Sequence, residues 1–224
     1  MDGLRMNKNF GPVVLLLALL APWLAGPARA AQLVAHVTDD HGKPVANAVL
    51  TLTPTAVPGP GPQPTPAPGA VVIDQRDETF MPYVVTVAKG GTVTFRNSDK
   101  TRHHVYSFSP IKQFEFMLRP GESSTPVVFD NAGIAAIGCN IHDFMTAFVY
   151  VADTPFVAES DQDGRAVIAD LPVGSYSAQV WHPQLRPSAK PPNQTVEVPD
   201  GGAELSAALP LLAPPRHDHE HGPY

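Results

Sequence analysis

Residues 139–145 read Cys-Asn-Ile-His-Asp-Phe-Met, so a thiol, an imidazole and a thioether fall within seven residues. If Cys139 ends one strand and Met145 begins the next, the loop between them turns all three side chains toward one point. Soft sulfur donors with imidazole favour copper over zinc. A trigonal set of one cysteine and two histidines with a long axial methionine is the blue-copper arrangement. Such a set needs a second imidazole from elsewhere, and His103 and His104 stand together at the start of a strand-like run. Alternation puts the two on opposite faces and does not say which faces the metal.

Cys139 is the only cysteine in 224 residues. An exported chain of this size normally pairs its cysteines, so a single one is an inert buried thiol, an intermolecular link, or a metal ligand. Export is indicated by the first thirty residues. Arg5 and Lys8 form a basic start, Val13 to Leu24 an apolar run, and Ala28-Arg29-Ala30 a small-x-small cleavage site. This is the layout of a secretory signal peptide. The run is shorter than the roughly 18–20 residues needed to span a bilayer, and no later segment is apolar enough, so no span is expected after cleavage. The mature chain is expected in the periplasm or outside the cell. Formal charge is −6 for the whole chain, and losing a basic leader makes the rest more acidic. Nucleic-acid binding, which needs clustered Lys and Arg, is therefore not expected.

The elements that must position these donors are short and alternate with period two. Thr92-Val93-Thr94-Phe95, Val105-Tyr106-Ser107-Phe108, Val127-Val128-Phe129 and Ala147-Phe148-Val149-Tyr150-Val151 are strand-like. Gly90-Gly91, Pro120-Gly121 and Asp130-Asn131-Ala132-Gly133 punctuate them. Short strands separated by regular turn signals predict an all-β sandwich. Residues 54–69 (PTAVPGPGPQPTPAPG) form a Pro/Gly tract expected as an extended linker. The tail from residue 213, with Arg216-His217-Asp218-His219-Glu220-His221, is polar, His-rich and expected to lack fixed structure.

Residues 70–153 resemble cupredoxins of the plastocyanin and amicyanin kind. "TFMPYVVTVAKGGTVTFRNSD" is similar to their first strands with an Asn-x-Asp turn, and "HHVYSF" to the strand of the first ligand. "LRPGESSTPVVFDNAG" is similar to the approach to the metal loop, and "CNIHDFM" to the short Cys-x-x-His-x-x-Met loop itself. The resemblance implies a Greek-key β-sandwich with one type 1 copper held by His103, Cys139, His142 and Met145. Aligning Val105 with the family's His-Asn-Val makes His103 the ligand and puts His104 where Asn is usual, a departure. Asn97 would tether the ligand loops by the same resemblance, though Asn97 and Asp99 read equally as a plain turn. The loop also lacks the family's prolines, having Ile141 and Asp143 beside His142, so a more acidic ligand edge is expected.

The flanks are residues 31–53 and 154–212, and their patterned pieces, residues 32–52 and 157–182, are each too short to bury a core alone. Together they resemble the halves of a carboxypeptidase regulatory-like (transthyretin-like) β-sandwich. The matching residues are Asp39, Gly42, Pro44, Val45 and Ala48, then Asp161, Asp163, Gly164, Leu171, Pro172, Gly174 and Tyr176. The cupredoxin block would then be inserted into that sandwich, although two units in series are an alternative.

Electron transfer with a redox protein, a dehydrogenase of the methylamine type or a cytochrome, is what the resemblance implies. The electron would leave through the edge of His142, ringed by Ile141, Phe144 and Met117. Copper capture and delivery using the His-rich tail, or a structural β-protein, are the alternatives. Several other signals are weak. Asp161-Gln162-Asp163-Gly164 lacks the Gly and Glu of a calcium loop, with Ala166 and Pro172 at those places. His182 beside Trp181 reads as a packed strand end. No nucleophile elbow, phosphate loop or His-Glu-x-x-His is present, and a filled donor set leaves no open position for substrate, so the chain is expected not to be an enzyme.

Overall fold

The computed structural model describes residues 31–56, 69–190 and 192–212. The signal segment, most of the Pro/Gly tract and the His-rich tail lie outside the described residues. Among the described residues every regular element is a strand, and no helix is long and apolar enough to cross a membrane.

In chain order β1 (Ala31–Asp39) and β2 (Val49–Pro54) come first. Next are β3 (Ala70–Arg76), β4 (Thr79–Met81), β5 (Val84–Ala88), β6 (Gly91–Asn97) and β7 (His103–Ser109). β8 (Lys112–Leu118), β9 (Val127–Phe129), β10 (Gly133–Cys139) and β11 (Thr146–Ala152) follow. The chain ends with β12 (Val157–Glu159), β13 (Arg165–Leu171), β14 (Gly174–Trp181), β15 (Asn193–Val198) and β16 (Ala203–Leu209). Four sheets result. Two, ordered β13-β1-β16 and β12-β2-β14-β15, use only the first two and last five strands. The other two, β5-β11-β10-β7-β8 and β4-β3-β6-β9, use only β3 to β11. The first pair is called the outer sandwich here and the second the inner one.

Period-two alternation explains each core. In β1, Ala31, Leu33, Ala35 and Val37 point inward and meet Leu50, Leu52, Ile168, Leu171 and Tyr176. In β6, Val93 and Phe95 point inward and meet Ile73, Phe129, Ile137 and Val149. Cys139 and Met145 belong to this second core. The linker expectation needs one correction: Pro54 is the last residue of β2 and pairs in register with Tyr176. Proline is tolerated at a strand end, where a missing donor costs little.

The motif residues of the flanks have structural work. Asp39 Oδ1 accepts the N–H groups of His41 and Lys43, and Asp161 Oδ1 those of Asp163 and Arg165. Gly42 and Gly164 follow with φ of 77° and 72°. A Cβ at Gly164 would come 2.3 Å from the Val37 carbonyl oxygen, so the second turn closes onto β1 only because that residue is glycine. The Tyr176 hydroxyl donates to the Pro172 carbonyl at 2.7 Å, pinning the β13–β14 corner. His182 is buried just after β14, with Nδ1 accepting the Gln184 N–H, and burial lowers its pKa. It is a packed strand-end residue. Trp181 packs against Phe148 and Tyr150 of β11, at 5.9 and 5.6 Å between ring centres, which joins the two sandwiches.

Candidate metal centre

β7 and β10 are antiparallel neighbours, with Val105 opposite Cys139. His103, Val105 and Ser107 alternate into the core, while His104, Tyr106 and Phe108 face outward. Burial distinguishes the two rings. His103 is fully buried on the side of Cys139, and His104 is not. Cys139 ends β10, and the loop to β11 is closed at both ends by backbone bonds. Asn140 N–H donates to the His104 carbonyl at 2.9 Å, and Met145 N–H to the His142 carbonyl at 3.0 Å. That second bond folds His142 back toward Cys139 and leaves Met145 buried directly before β11. Gly138 lets β10 run close under β7: a Cβ there would sit 2.6 Å from the Tyr106 ring. Nothing in the local sequence signals that requirement.

Cys139 Sγ lies 3.7 Å from His103 Nδ1 and 3.7 Å from His142 Nδ1, and the two Nδ1 atoms are 3.2 Å apart. The point equidistant from the corners of that triangle is about 2.1 Å from each, a metal–nitrogen bond length and about 0.2 Å short of a metal–sulfur bond. The three residues are also the one group of at least three His, Cys, Asp or Glu donors gathered closely enough for an ion among the described residues. Met145 lies in the same core cluster as Cys139 and is the remaining soft side chain of the loop.

The outer edges of both rings face carboxylates. His103 Nε2 is 2.8 Å from Asp99 Oδ2, and His142 Nε2 is 3.6 Å from Glu78 Oε1. An ionised carboxylate only accepts, so the bond to Asp99 favours the His103 tautomer with its proton on Nε2 and a lone pair on Nδ1, and the Glu78 charge biases His142 the same way. Two imidazole lone pairs and a sulfur then converge within 3.7 Å. They repel one another unless a cation sits between them.

Asp99 is held from several sides. Its Oδ1 accepts the Asp77 N–H, its Oδ2 accepts the Glu78 N–H at 3.0 Å, and its own N–H donates to Asn97 Oδ1 at 2.9 Å. Burial pushes its carboxyl pKa up, but the bonds from Glu78 N–H, His103 and Asp77 N–H outweigh that and lower it. Asn97 is fully buried at the end of β6, and its Nδ2 donates to the carbonyls of Thr101 and Leu118. It thus ties the turn before His103 to the end of β8, which is more than a plain turn residue does. The carboxylate facing His142 is Glu78, whereas Asp143 beside it is exposed. Glu78 carries no local signal in the sequence, since it arrives from the β3–β4 turn. Asp99 carries a faint one, its spacing of four before His103. Ile141, Phe144 and Met117 are all exposed.

The donor set fits copper: thiolate and imidazole in a trigonal array with a thioether adjacent is the arrangement copper takes. Comparison with solved structures gives cupredoxins. Amicyanin from Paracoccus versutus matches at 24% identity over 46% of this chain and 98% of its own, with a TM-score of 0.34. A purple cupredoxin from Nitrosopumilus maritimus matches at 22% identity over 37% of this chain and 99% of its own, TM-score 0.33. A copper-containing nitrite reductase from Thermus scotoductus matches at 25% identity over 45% of this chain but only 25% of its own, TM-score 0.35. No family model and no curated protein matches the chain. The reductase corrects one expectation. An enzyme stands among the structural matches, so a filled donor set in one part of the chain does not exclude catalysis for the whole.

Proposed function

We propose that this chain is an exported type 1 copper protein that passes single electrons to or from a redox protein. Its ligands are His103, Cys139, His142 and Met145. The observation that carries this reading is the triangle of two Nδ1 atoms and one Sγ with sides of 3.2 to 3.7 Å, in which the far-side nitrogen of each ring faces a carboxylate. Copper, when bound, supplies a one-electron couple between Cu(II) and Cu(I).

The residues do the rest. His103 and Cys139 are rooted in neighbouring strands and buried, so their positions change little with oxidation state. His142 is the partly exposed ligand, with 17% of its side chain accessible, and it lies beside Phe144 at 6.1 Å between ring centres. The exposed Ile141, Phe144 and Met117 supply an apolar margin of the small kind that transient redox encounters use. Glu78 and Asp143 add negative charge beside it, which favours a partner with a basic rim, a dehydrogenase or a cytochrome. The copper-bearing unit is residues 70–153, inserted between residues 31–53 and 154–212 of a regulatory-like sandwich. Separate cores and non-overlapping sheets support that division.

The test is the visible spectrum of the full chain after loading with Cu(II). A strong thiolate-to-copper charge-transfer band is expected, absent from Cys139→Ser and from His103→Ala but retained in His104→Ala. A wild-type chain that stays colourless overturns the reading.

A further inference from the structure

The β3–β4 turn touches both ligand histidines, one through its backbone and one through a side chain. Asp77 and Glu78 have φ of 51° and 52°, a left-handed conformation that residues other than glycine seldom adopt. Both of their N–H groups donate to the Asp99 carboxylate, which explains why the turn is held in that form. The same carboxylate receives His103 Nε2 at 2.8 Å with only 10% of its side chain exposed. From the same turn the Glu78 side chain reaches His142 Nε2 at 3.6 Å. The first contact is a short charge-assisted hydrogen bond. The second is beyond hydrogen-bond length and acts through charge.

We infer that Asp99 and Glu78 are a pair of positioning residues that hold the reduction potential of the centre low, each by setting a carboxylate against the outer nitrogen of one ligand histidine. This rests on the copper reading above. A carboxylate on the Nε2 side makes the opposite Nδ1 a stronger donor and adds negative charge near the ion. Both effects stabilise Cu(II) more than Cu(I). Asp99 carries most of the effect, because its contact is short and shielded from water, whereas 43% of the Glu78 side chain is exposed. Asp99 also has no freedom to turn away, since two backbone N–H groups hold its oxygens in place.

The experiment is potentiometric titration of the copper-loaded full chain and of Asp99→Asn and Glu78→Gln, with the charge-transfer band recorded at each step. Asn keeps an acceptor for the turn and removes the charge. The Cu(I)/Cu(II) ratio at a fixed applied potential is expected to rise about tenfold in Asp99→Asn, and a tenfold change is 59 mV for a one-electron couple. In Glu78→Gln the rise is about two- to threefold, by the weaker and more exposed contact. An intact band with an unmoved potential in both variants overturns the inference and leaves the copper site standing. If the wild-type chain shows no band, the site reading itself falls. If Asp99→Asn loses the band, the answer comes from Glu78→Gln and Asp99→Glu. A raised potential in the former with the band restored in the latter supports the pair, and an unmoved potential in Glu78→Gln overturns it.

Discussion

Asp39 and Asp161 in the outer sandwich and Asp99 in the inner one each accept two backbone N–H groups, yet their partners differ in kind. Asp39 takes protons from residues two and four places ahead, and Asp161 does the same. Each closes its own turn and nothing else. Asp99 takes them from Asp77 and Glu78, more than twenty residues back, and spends the rest of its acceptor capacity on His103. The outer carboxylates are consumed by the backbone that carries them. The inner one joins three separate segments at the donor triangle. A carboxylate whose partners are all local stabilises a turn, and one whose partners are distant positions a side chain.

Core truncation tests the separateness of the two regions most severely. Phe95 is fully buried beside Phe114 and Phe116, at 5.4 and 5.6 Å between ring centres, and Leu33 is fully buried in the other core. Phe95→Ala is expected to cost about 3–5 kcal/mol and Leu33→Ala about 2–5 kcal/mol, from lost burial plus the cavity left behind. Denaturant unfolding of both variants, followed with the copper band, distinguishes the two regions. Phe95→Ala is expected to lose the band at lower denaturant, and Leu33→Ala to keep the wild-type midpoint for the band while its overall stability falls. If both shift the band equally, the sandwiches unfold as one unit and the two regions are not energetically separate.

A smaller effect sharpens the outer half alone. The buried Ser160 hydroxyl donates to the Val45 carbonyl at 2.7 Å and accepts the Ala48 N–H at 2.9 Å. Through these bonds it ties residues on the two sides of the inner block. Ser160→Ala strands two backbone groups and is expected to cost about 1–3 kcal/mol. Thermal melts should show that loss with the copper spectrum unchanged. An altered spectrum would mean that the outer sandwich shapes the donor triangle.

Legibility in the sequence followed the range of each interaction. Cys139 and His142 lie in one loop, so their approach needs only a strand on each side, and β10 and β11 provide it. The choice between His103 and His104 depends on which face of β7 is covered, a fact of sheet packing that alternation does not contain. Glu78 comes to the centre from a turn that no spacing rule connects to it. The outer sandwich was legible only as motif residues, and their roles in Asx turns and the Tyr176 corner are local enough to explain why. The exclusion of enzymatic activity failed for a different reason. Donor saturation in one block says nothing about the remaining chain.

The smallest expected effect is one of sign. Asp74 of β3 faces Arg96 of β6, with Oδ2 receiving Nη2 at 2.7 Å and Oδ1 receiving Nε at 3.2 Å. The Arg96 hydrogen bonds, working against burial, hold its carboxyl at about 2 instead of the ordinary 3.8. A lowered folded-state pKa adds stability above the ordinary value, and this is lost as pH falls from about 3.8 through about 2. With half of Arg96 exposed, solvent screening leaves on the order of 1 kcal/mol. Glu159 of β12 is the opposite case. Burial raises its pKa, against a hydrogen bond to Thr86 of β5. Its contribution is therefore full below the unfolded-state value and lost as pH rises through the folded one. Unfolding free energies from pH 6 to 2 should show the stability gap between wild type and Asp74→Asn closing on acidification. The gap between Glu159→Gln and wild type should close over the upper part of the same range, as Glu159 becomes protonated and as neutral as the glutamine. The two carboxylates face different partners, a cation for Asp74 and a hydroxyl for Glu159. Gaps that change in the same sense relative to wild type would show that burial rather than partner governs both.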